Sequence, residues 1–566
     1  RQRRLVWLRG SADWARCTAL RAWRSGDRGL WVGTGMQTPD GWRACDWSRA
    51  AALLGQEFDL VVWDGWAGFD PDAFGQVVGL VAAGGLVLLQ TPPPCVWLHR
   101  ADPAAGRIQV EGTDPEVTTG RYLQRLCRLL EDDARVLSLD QGQDLRFPVP
   151  PGGPGHPGPD LRQQSEAVSA IVAALGRRRP RPVVLTADRG RGKSAALGLA
   201  ATALCERQPG IRLVLTAASR QQAEAVHRHV PERLRARIPF HWPTELAHGR
   251  IAADVVLVDE AAAIGTVLLE QLLARCQRVV FATTVHGYEG SGRGFALRFQ
   301  STLDAMTPDW QALRLEHPIR WAADDPLEQL AFQALLLDAE PAPVTTAAAG
   351  RSGTGCCCRW VEQDALLADE SLLRQVFGLL VQAHYRTRPL DLRNLLDGPG
   401  LRILLAEADG CLLGVALLAA EGGFPRELAT AIWEGRRRPR GHLLAQGLAA
   451  HVGVPAAARL PVWRVMRLAV RPEARRRGVG GCLLSAAAGA ATREGQALLG
   501  TSFGATPELL DFWSAEGFHS VRYGLRRDLA SGAHSVLMVR ALDRRGAWLL
   551  RAGQARFRQA LPALLV

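Results

Sequence analysis

Of the 68 Lys and Arg residues in the chain, one is a lysine, Lys193. It sits in Ala187-Asp188-Arg189-Gly190-Arg191-Gly192-Lys193-Ser194, which matches a phosphate-binding loop whose backbone N–H groups wrap phosphates. A compact ammonium on a flexible stem fits inside such a loop, whereas a broad planar guanidinium does not. A chain that uses arginine at every other cationic position thus keeps lysine where geometry demands it. The expectation is a nucleoside triphosphate site with Lys193 at its centre.

Further along, Asp254-Val255-Val256-Leu257-Val258-Asp259-Glu260 reads as an apolar strand ending in two carboxylates. An Asp there holds Mg²⁺ through water, with the Ser194 hydroxyl as the second metal contact, and Glu260 can orient an attacking water. The strand Arg278–Thr284 ends in Thr283-Thr284, hydroxyls that would lie beside a γ-phosphate as in helicase-like ATPases. Gly287-Tyr288-Glu289-Gly290-Ser291-Gly292-Arg293-Gly294-Phe295 reads as a glycine-rich loop that senses nucleotide or RNA. Arg320, in His317-Pro318-Ile319-Arg320-Trp321, is a candidate phosphate or base contact.

A second constellation is Arg475-Arg476-Arg477-Gly478-Val479-Gly480-Gly481. This R-x-x-G-x-G run follows the apolar strand Trp463–Val470 and precedes an Ala/Leu-rich helix, so its N–H groups can receive a pyrophosphate. It resembles the acyl-CoA loop of GNAT acetyltransferases. The strand Leu498–Phe503 and the helix Pro507–Glu516, closed by Gly517-Phe518, complete the element order of that fold.

The elements that must hold these residues fall between two breaker-rich stretches, giving an α/β multidomain chain. Residues 1–147 form an N-terminal Rossmann-like α/β domain with buried parallel strands at Phe58–Asp64 and Gly85–Gln90. Gly33-Thr34-Gly35 there is a plain turn. A Pro/Gly linker, 148–160, leads to a RecA-like P-loop ATPase domain, 161–340, opening with a helix from Leu161 to Gly176. That span is long enough for one RecA-like domain, whereas processive helicases use two, so the ATPase reads as a positioning device. After a linker at 341–355, a GNAT domain spans 356–525, with Asp409-Gly410 turning between strands Arg402–Ala406 and Leu412–Ala419. The remainder, 526–566, is a basic tail with eight Arg against two Asp, interleaved with Trp548 and Phe557 and suited to phosphate contact and base stacking.

At 566 residues and 47% hydrophobic content the chain can bury several cores, which excludes global disorder. A net charge of +12 favours a polyanionic partner. No window nears the roughly eighteen apolar residues of a membrane span and no signal-peptide core opens the chain, so a cytoplasmic location is expected. The first residue is Arg rather than Met, which points to a start upstream of it. The 11 cysteines, Cys356-Cys357-Cys358 among them, lack zinc-site spacing and read as reduced thiols.

Taken in order, the phosphate loop, Asp259-Glu260-Ala261-Ala262, the Gly287–Phe295 run and the acyl-CoA loop resemble the bacterial tRNA(Met) cytidine acetyltransferase family. Further matching stretches are Gly441-His442-Leu443-Leu444, Gln446, Leu448-Ala449-Ala450-His451 and Ser502-Phe503-Gly504-Ala505-Thr506-Pro507-Glu508-Leu509. The resemblance implies ATP-dependent acetylation, from acetyl-CoA, of N4 of the wobble cytidine in elongator tRNA(Met), with Mg²⁺ accompanying the ATP. It implies ATP contacts from Gln164, the loop Ala187, Asp188, Arg189, Gly190, Arg191, Gly192, Lys193, Ser194, Ala195 and Ala196, and Arg320. It implies acetyl-CoA contacts from Leu468, Ala469, Val470, Arg475, Arg476, Arg477, Gly478, Val479, Gly480, Gly481 and Glu508. For the acetyl-transfer base the residues leave two candidates, Glu434 and His451. Two rival readings stay open: a nucleotide-regulated protein or small-molecule N-acetyltransferase, and a non-catalytic RNA-remodelling ATPase that senses acetyl-CoA.

Overall fold

A computed structural model describes residues 2–24, 26–33, 38–113, 120–143, 160–287, 292–345, 347, 350, 353–383, 387–528 and 532–564. The linker expected at 148–160 and residues 288–291 of the glycine-rich run lie outside these, apart from residue 160. The chain forms two compact units, one made of Arg1–Ala105, Tyr122–Asp338 and Tyr385–Leu392, the other of Gly106–Arg121, Ala339–His384 and Arg393–Val566.

The first unit holds two parallel sheets. Strands β1 (Arg4–Arg9), β2 (Gly29–Val32), β3 (Arg43–Cys45), β4 (Phe58–Asp64), β5 (Val81–Thr91) and β6 (Leu137–Asp140) pair in the order β3-β2-β4-β5-β1-β6. Val6, Leu8, Leu60, Val62 and Leu88 are buried on one face and Trp7, Val61, Trp63, Val87 and Leu89 at the alternate positions, which is why these strands read as apolar runs and not as alternations.

The second sheet consists of β7 (Val183–Ala187), β8 (Leu213–Thr216), β9 (Val255–Val258), β10 (Val279–Thr284) and β11 (Gln311–Leu315), in the order β11-β7-β10-β9-β8. Alternate residues serve two cores: Val183 and Leu185 meet the helices Arg162–Leu175 and Lys193–Arg207, while Val184, Val256 and Phe281 meet Leu269 and Phe299 on the other face. β10 lies between β7 and β9, so its C-terminal end separates the phosphate loop from the Asp259-Glu260 pair. The run expected to be a glycine-rich loop becomes helical at Gly292 and continues to Met306.

The second unit is built on seven strands, β12 (Cys357–Val361), β13 (Leu401–Ala408), β14 (Cys411–Gly422), β15 (Pro461–Val470), β16 (Leu498–Gly504), β17 (His519–Arg527) and β18 (His534–Ala541). Their order is β12-β13-β14-β15-β16-β18-β17, antiparallel except for the β15/β16 pair. Asp409 and Gly410 turn between β13 and β14 with φ of +48° and +73°, the left-handed pair that a two-residue hairpin requires. The boundary expected at 525/526 falls inside β17, and β18 sits between β16 and β17. Residues expected to form a tail therefore complete the sheet, and the remainder is the helix Arg544–Leu564.

The two faces of this sheet carry different helices. Val479–Arg493 and Pro507–Ala515 cover one face through Leu483, Ala487, Trp513 and Phe518. Leu443–Gln446, the π-helical turn Gly447–His451 and the long C-terminal helix cover the other through Leu444, Leu448 and Leu549.

Candidate functional sites

The phosphate loop takes its shape from two glycines. Gly190 and Gly192 have φ of +78° and +85°. A Cβ on Gly190 would lie 2.7 Å from the Trp321 ring, and one on Gly192 would lie 2.6 Å from the Ile319 Cδ1. The backbone N–H groups of Ile319 and Arg320 donate to the Gly190 carbonyl, so the segment containing both residues packs along the loop. Gly192 caps the helix that begins at Lys193, and this aims the positive end of the helix at the loop.

Around that turn the polar side chains converge. The Lys193 Nζ donates to the Thr284 hydroxyl at 2.7 Å and lies 3.1 Å from Glu260. Thr284 Oγ1 in turn donates to Glu260, at 2.9 Å, and the Ser194 hydroxyl donates to Asp259 at 2.8 Å. Burial and the neighbouring Glu260 charge push the Asp259 carboxyl above the ordinary range. Burial acts on Glu260 in the same direction, but Lys193 and the Thr284 hydrogen bonds outweigh it and hold that carboxyl low. Glu260 has a φ of +46°, a strained conformation that turns its carboxylate toward Lys193 and Thr284.

The other expected nucleotide contacts gather here as well. Gln164, which is buried, donates its Nε2 to the Arg191 carbonyl at 3.0 Å, and its Oε1 is buried with no partner among the described residues. A buried carbonyl that lacks a donor suits a group such as an adenine amine. Asp188 accepts from His286 at 2.9 Å, Arg191 is paired with Glu328, and Arg189 lies against Gly79. Ala187 ends β7 in the core, while Ala195 and the buried Ala196 form the first helical turn. Arg320 is bound to Glu57 through Nε and Nη2 at 3.0 and 2.7 Å. The residues fit ATP with Mg²⁺, because a hydroxyl and an adjacent carboxylate stand at the helix N-terminus.

In the second unit the paired register of β15 and β16 runs from Val462↔Leu498 to Val465↔Thr501 and stops. A bulge at Leu417/Leu418 of β14 accommodates Met466, and beyond it Leu468, Ala469 and Val470 pair only with β14. The other edge of β15 is left open, opposite Ser502–Gly504. The Arg475–Gly481 run follows immediately. Arg475 donates to the Val470 carbonyl at 3.2 Å, Arg476 has a φ of +61°, and Gly478, at +81°, caps the helix that begins at Val479. The Arg477 carbonyl accepts from the Gly353 N–H. Gly480 and Gly481 let the next helix approach, since added Cβ atoms would lie 3.0 Å from Phe512 and 2.5 Å from Glu516. Glu508 is exposed in the first turn of that helix. Turn, helix N-terminus and open strand edge together fit the pyrophosphate and amide groups of acetyl-CoA.

The two acetyl-transfer candidates are placed differently. Glu434 closes the helix Arg426–Trp433, ion-paired with Arg436. His451 lines a cavity of about 510 Å³ on the face opposite the helix Val479–Arg493, together with Gln446, Ser502, Ser535, Arg438 and Arg522. Burial, then Arg522 and Arg438, lowers the His451 pKa and favours neutral imidazole. Sequence reasoning missed Arg438, Arg522 and Ser535, since no local motif links them. It also missed Glu421, buried and paired with Arg464, which caps the turn at Leu444. Among the described residues no group of three His, Cys, Asp or Glu is placed to hold a metal, and no helix is long and apolar enough to cross a membrane.

Comparison with known proteins matches three stretches of the chain. Residues 1–141 match the N-terminal model of tRNA(Met) cytidine acetyltransferase TmcA, 184–338 the helicase domain of RNA cytidine acetyltransferase NAT10/TcmA, and 375–489 with 483–543 GNAT acetyltransferase 2. The tRNA(Met) cytidine acetyltransferase TmcA of Nitrosococcus halophilus is 44% identical over 99% of this chain and 78% of its own length. Those of Citrobacter koseri and Salmonella typhimurium are 37% and 36% identical, each over 98% of the chain and 79% of their length. A phosphate loop facing paired carboxylates, a splayed β15/β16 pair and full-length similarity converge: the chain belongs to the tRNA(Met) cytidine acetyltransferase TmcA family.

Proposed function

We propose that this chain forms N4-acetylcytidine at the wobble position of elongator tRNA(Met), with acetyl-CoA as donor and ATP hydrolysis used to present the base, and that it does so in the cytoplasm. The observation that carries this reading is the opening between β15 and β16 beyond Val465↔Thr501. It has a glycine turn and a helix N-terminus on one side of the sheet and the His451 cavity on the other. Bound there, acetyl-CoA supplies an activated acetyl thioester.

The chain's own residues do the rest. The N–H groups of Gly478–Gly481 hold the pyrophosphate, and the free edge of Met466–Val470 donates to the carbonyl oxygen as charge develops. A cytosine amine is a weak nucleophile because its lone pair is delocalised, so catalysis depends on holding N4 in place and removing its proton. In this reading His451, which lines the cavity and whose pKa is lowered, takes that proton, whereas Glu434 is exposed and ion-paired with Arg436. In the other unit Lys193 would neutralise phosphate charge, Asp259 and Ser194 would hold Mg²⁺, and Glu260 would orient water.

Nucleoside analysis of elongator tRNA(Met) after incubation with the protein, acetyl-CoA and ATP tests the reading. N4-acetylcytidine is expected with the unaltered chain and is lost in Lys193→Ala, which keeps acetyl-CoA binding. Label transferred to protein, or unaltered yield in Lys193→Ala, overturns it.

A further inference from the structure

We propose that the cavity beside His451 is a receptor for a single RNA strand, in which Arg438 and Arg522 hold the phosphodiesters flanking the acceptor nucleotide and the base enters toward Ser502. The proposal rests on the acetyltransferase reading and adds to it the site of the RNA.

Among the described residues the lining contains four arginines and no carboxylate. Two of the four are committed at the rim: Arg437 pairs with Glu111 at 3.2 Å, and Arg440 donates to the Gly106 carbonyl at 2.6 Å. The side chains of Arg438 and Arg522 make no hydrogen bond or ion pair among the described residues. Arg522 is half-buried on β17, and desolvation there depresses its pKa. A half-buried guanidinium without a partner is costly unless an anion arrives to pair with it. A volume of about 510 Å³ lies within the range of small-ligand pockets, so the cavity can accept a nucleotide.

Its place in the fold identifies the anion. Leu498 and Gly500 face the Leu444 side of the sheet, and Ser502 continues that alternation into the cavity. Ser502 is also the first residue of β16 past the last paired position, Thr501. The cavity therefore opens onto the splay from the face opposite the glycine turn, where an acceptor meets an acetyl group reaching through the sheet. An acceptor amine on a lysine or a peptide N-terminus is cationic and would be repelled by these arginines, whereas an RNA strand brings one negative charge per nucleotide. Guanidinium planes also stack on unpaired bases.

The test uses the full chain with an anticodon stem-loop RNA and the variants Arg522→Gln, Arg522→Lys and Arg438→Gln. RNA affinity is measured against salt, and KM separately for RNA and for acetyl-CoA. Each glutamine variant is expected to weaken RNA binding about tenfold and to lower the log–log salt slope by about 0.7, the value for one single-strand phosphate contact. Arg522→Lys keeps the slope, and KM for acetyl-CoA stays unchanged in all three. Unaltered RNA affinity and slope in both glutamine variants, or a raised KM for acetyl-CoA in place of RNA, overturns the proposal. Arg438 is exposed, so its substitution reads binding without disturbing the core. Cavity-dependent RNA binding without any N4-acetylcytidine would uphold the site and reject the reaction. Acetylation indifferent to both arginines would do the reverse.

Discussion

His451 and Lys193 show how neighbouring charges set what a single side chain can do. Lys193 was legible from composition, because a lone lysine within a glycine-rich loop marks itself. Its partners Thr284 and Glu260 were legible as strand ends, although the φ of +46° that turns Glu260 toward them was not. His451 is different: its environment comes from residues 438 and 522, which no sequence spacing connects. Burial, then Arg522, then Arg438 disfavour its protonation, so its titration midpoint should lie below the ordinary value of about 6.5. Removing a positive neighbour makes protonation easier, so Arg522→Gln should move the midpoint upward. NMR titration of the labelled imidazole, assigned by His451→Gln, checks this. A midpoint indifferent to Arg522 would remove Arg522 from the account of why the ring is neutral.

At the level of elements, the apolar strands and the glycine turns were readable, and the sheet order was not. Arginines dominate the stretch from Arg526 onward, so composition alone makes the end of β17 and all of β18 look like a basic tail. Strand pairing is decided by partners distant in sequence, here β16, which was itself correctly read as a strand. The helix Arg544–Leu564 depends on one close approach: a Cβ on Gly546 would lie 1.9 Å from the Ala497 carbonyl oxygen, just before β16. Gly546→Ala must push the helix away from Leu498, costing about 1–3 kcal/mol of overpacking. The expected result is a lower melting temperature for the second unit and faster hydrogen exchange along β18, with ATP binding unaffected. Exchange at the wild-type rate along β18 would show that the helix docks without that contact.

Across the first unit, the two parallel sheets are joined by a buried ion pair that no motif announces. Arg3, just before β1, and Asp325, which caps the helix Pro326–Leu335, are both fully buried. Asp325 accepts the Arg3 backbone N–H at 2.7 Å and the Arg3 Nη2 at 2.9 Å, and the guanidinium lies 3.5 Å from the centre of the Trp321 ring. The Trp321 indole donates to Glu328, and Glu328 holds Arg191 of the phosphate loop. The N-terminal sheet is thereby connected, through four side chains, to the loop around Lys193. Asp325→Ala leaves Arg3 buried and uncompensated, which should cost about 3–5 kcal/mol, whereas the paired Arg3→Met/Asp325→Asn replacement, which removes both charges and keeps an oxygen to cap the helix and accept the residue-3 N–H, should cost less. Stability and nucleotide affinity should then separate. The paired variant should melt above Asp325→Ala yet bind ATP more weakly than the parent, because Trp321 loses the cation stacked on it and Gly190 packs against Trp321. Parallel melting curves and ATP titrations decide the matter. ATP affinity unaltered in the paired variant would mean that the ion pair only fastens the sheets together and does not shape the phosphate loop.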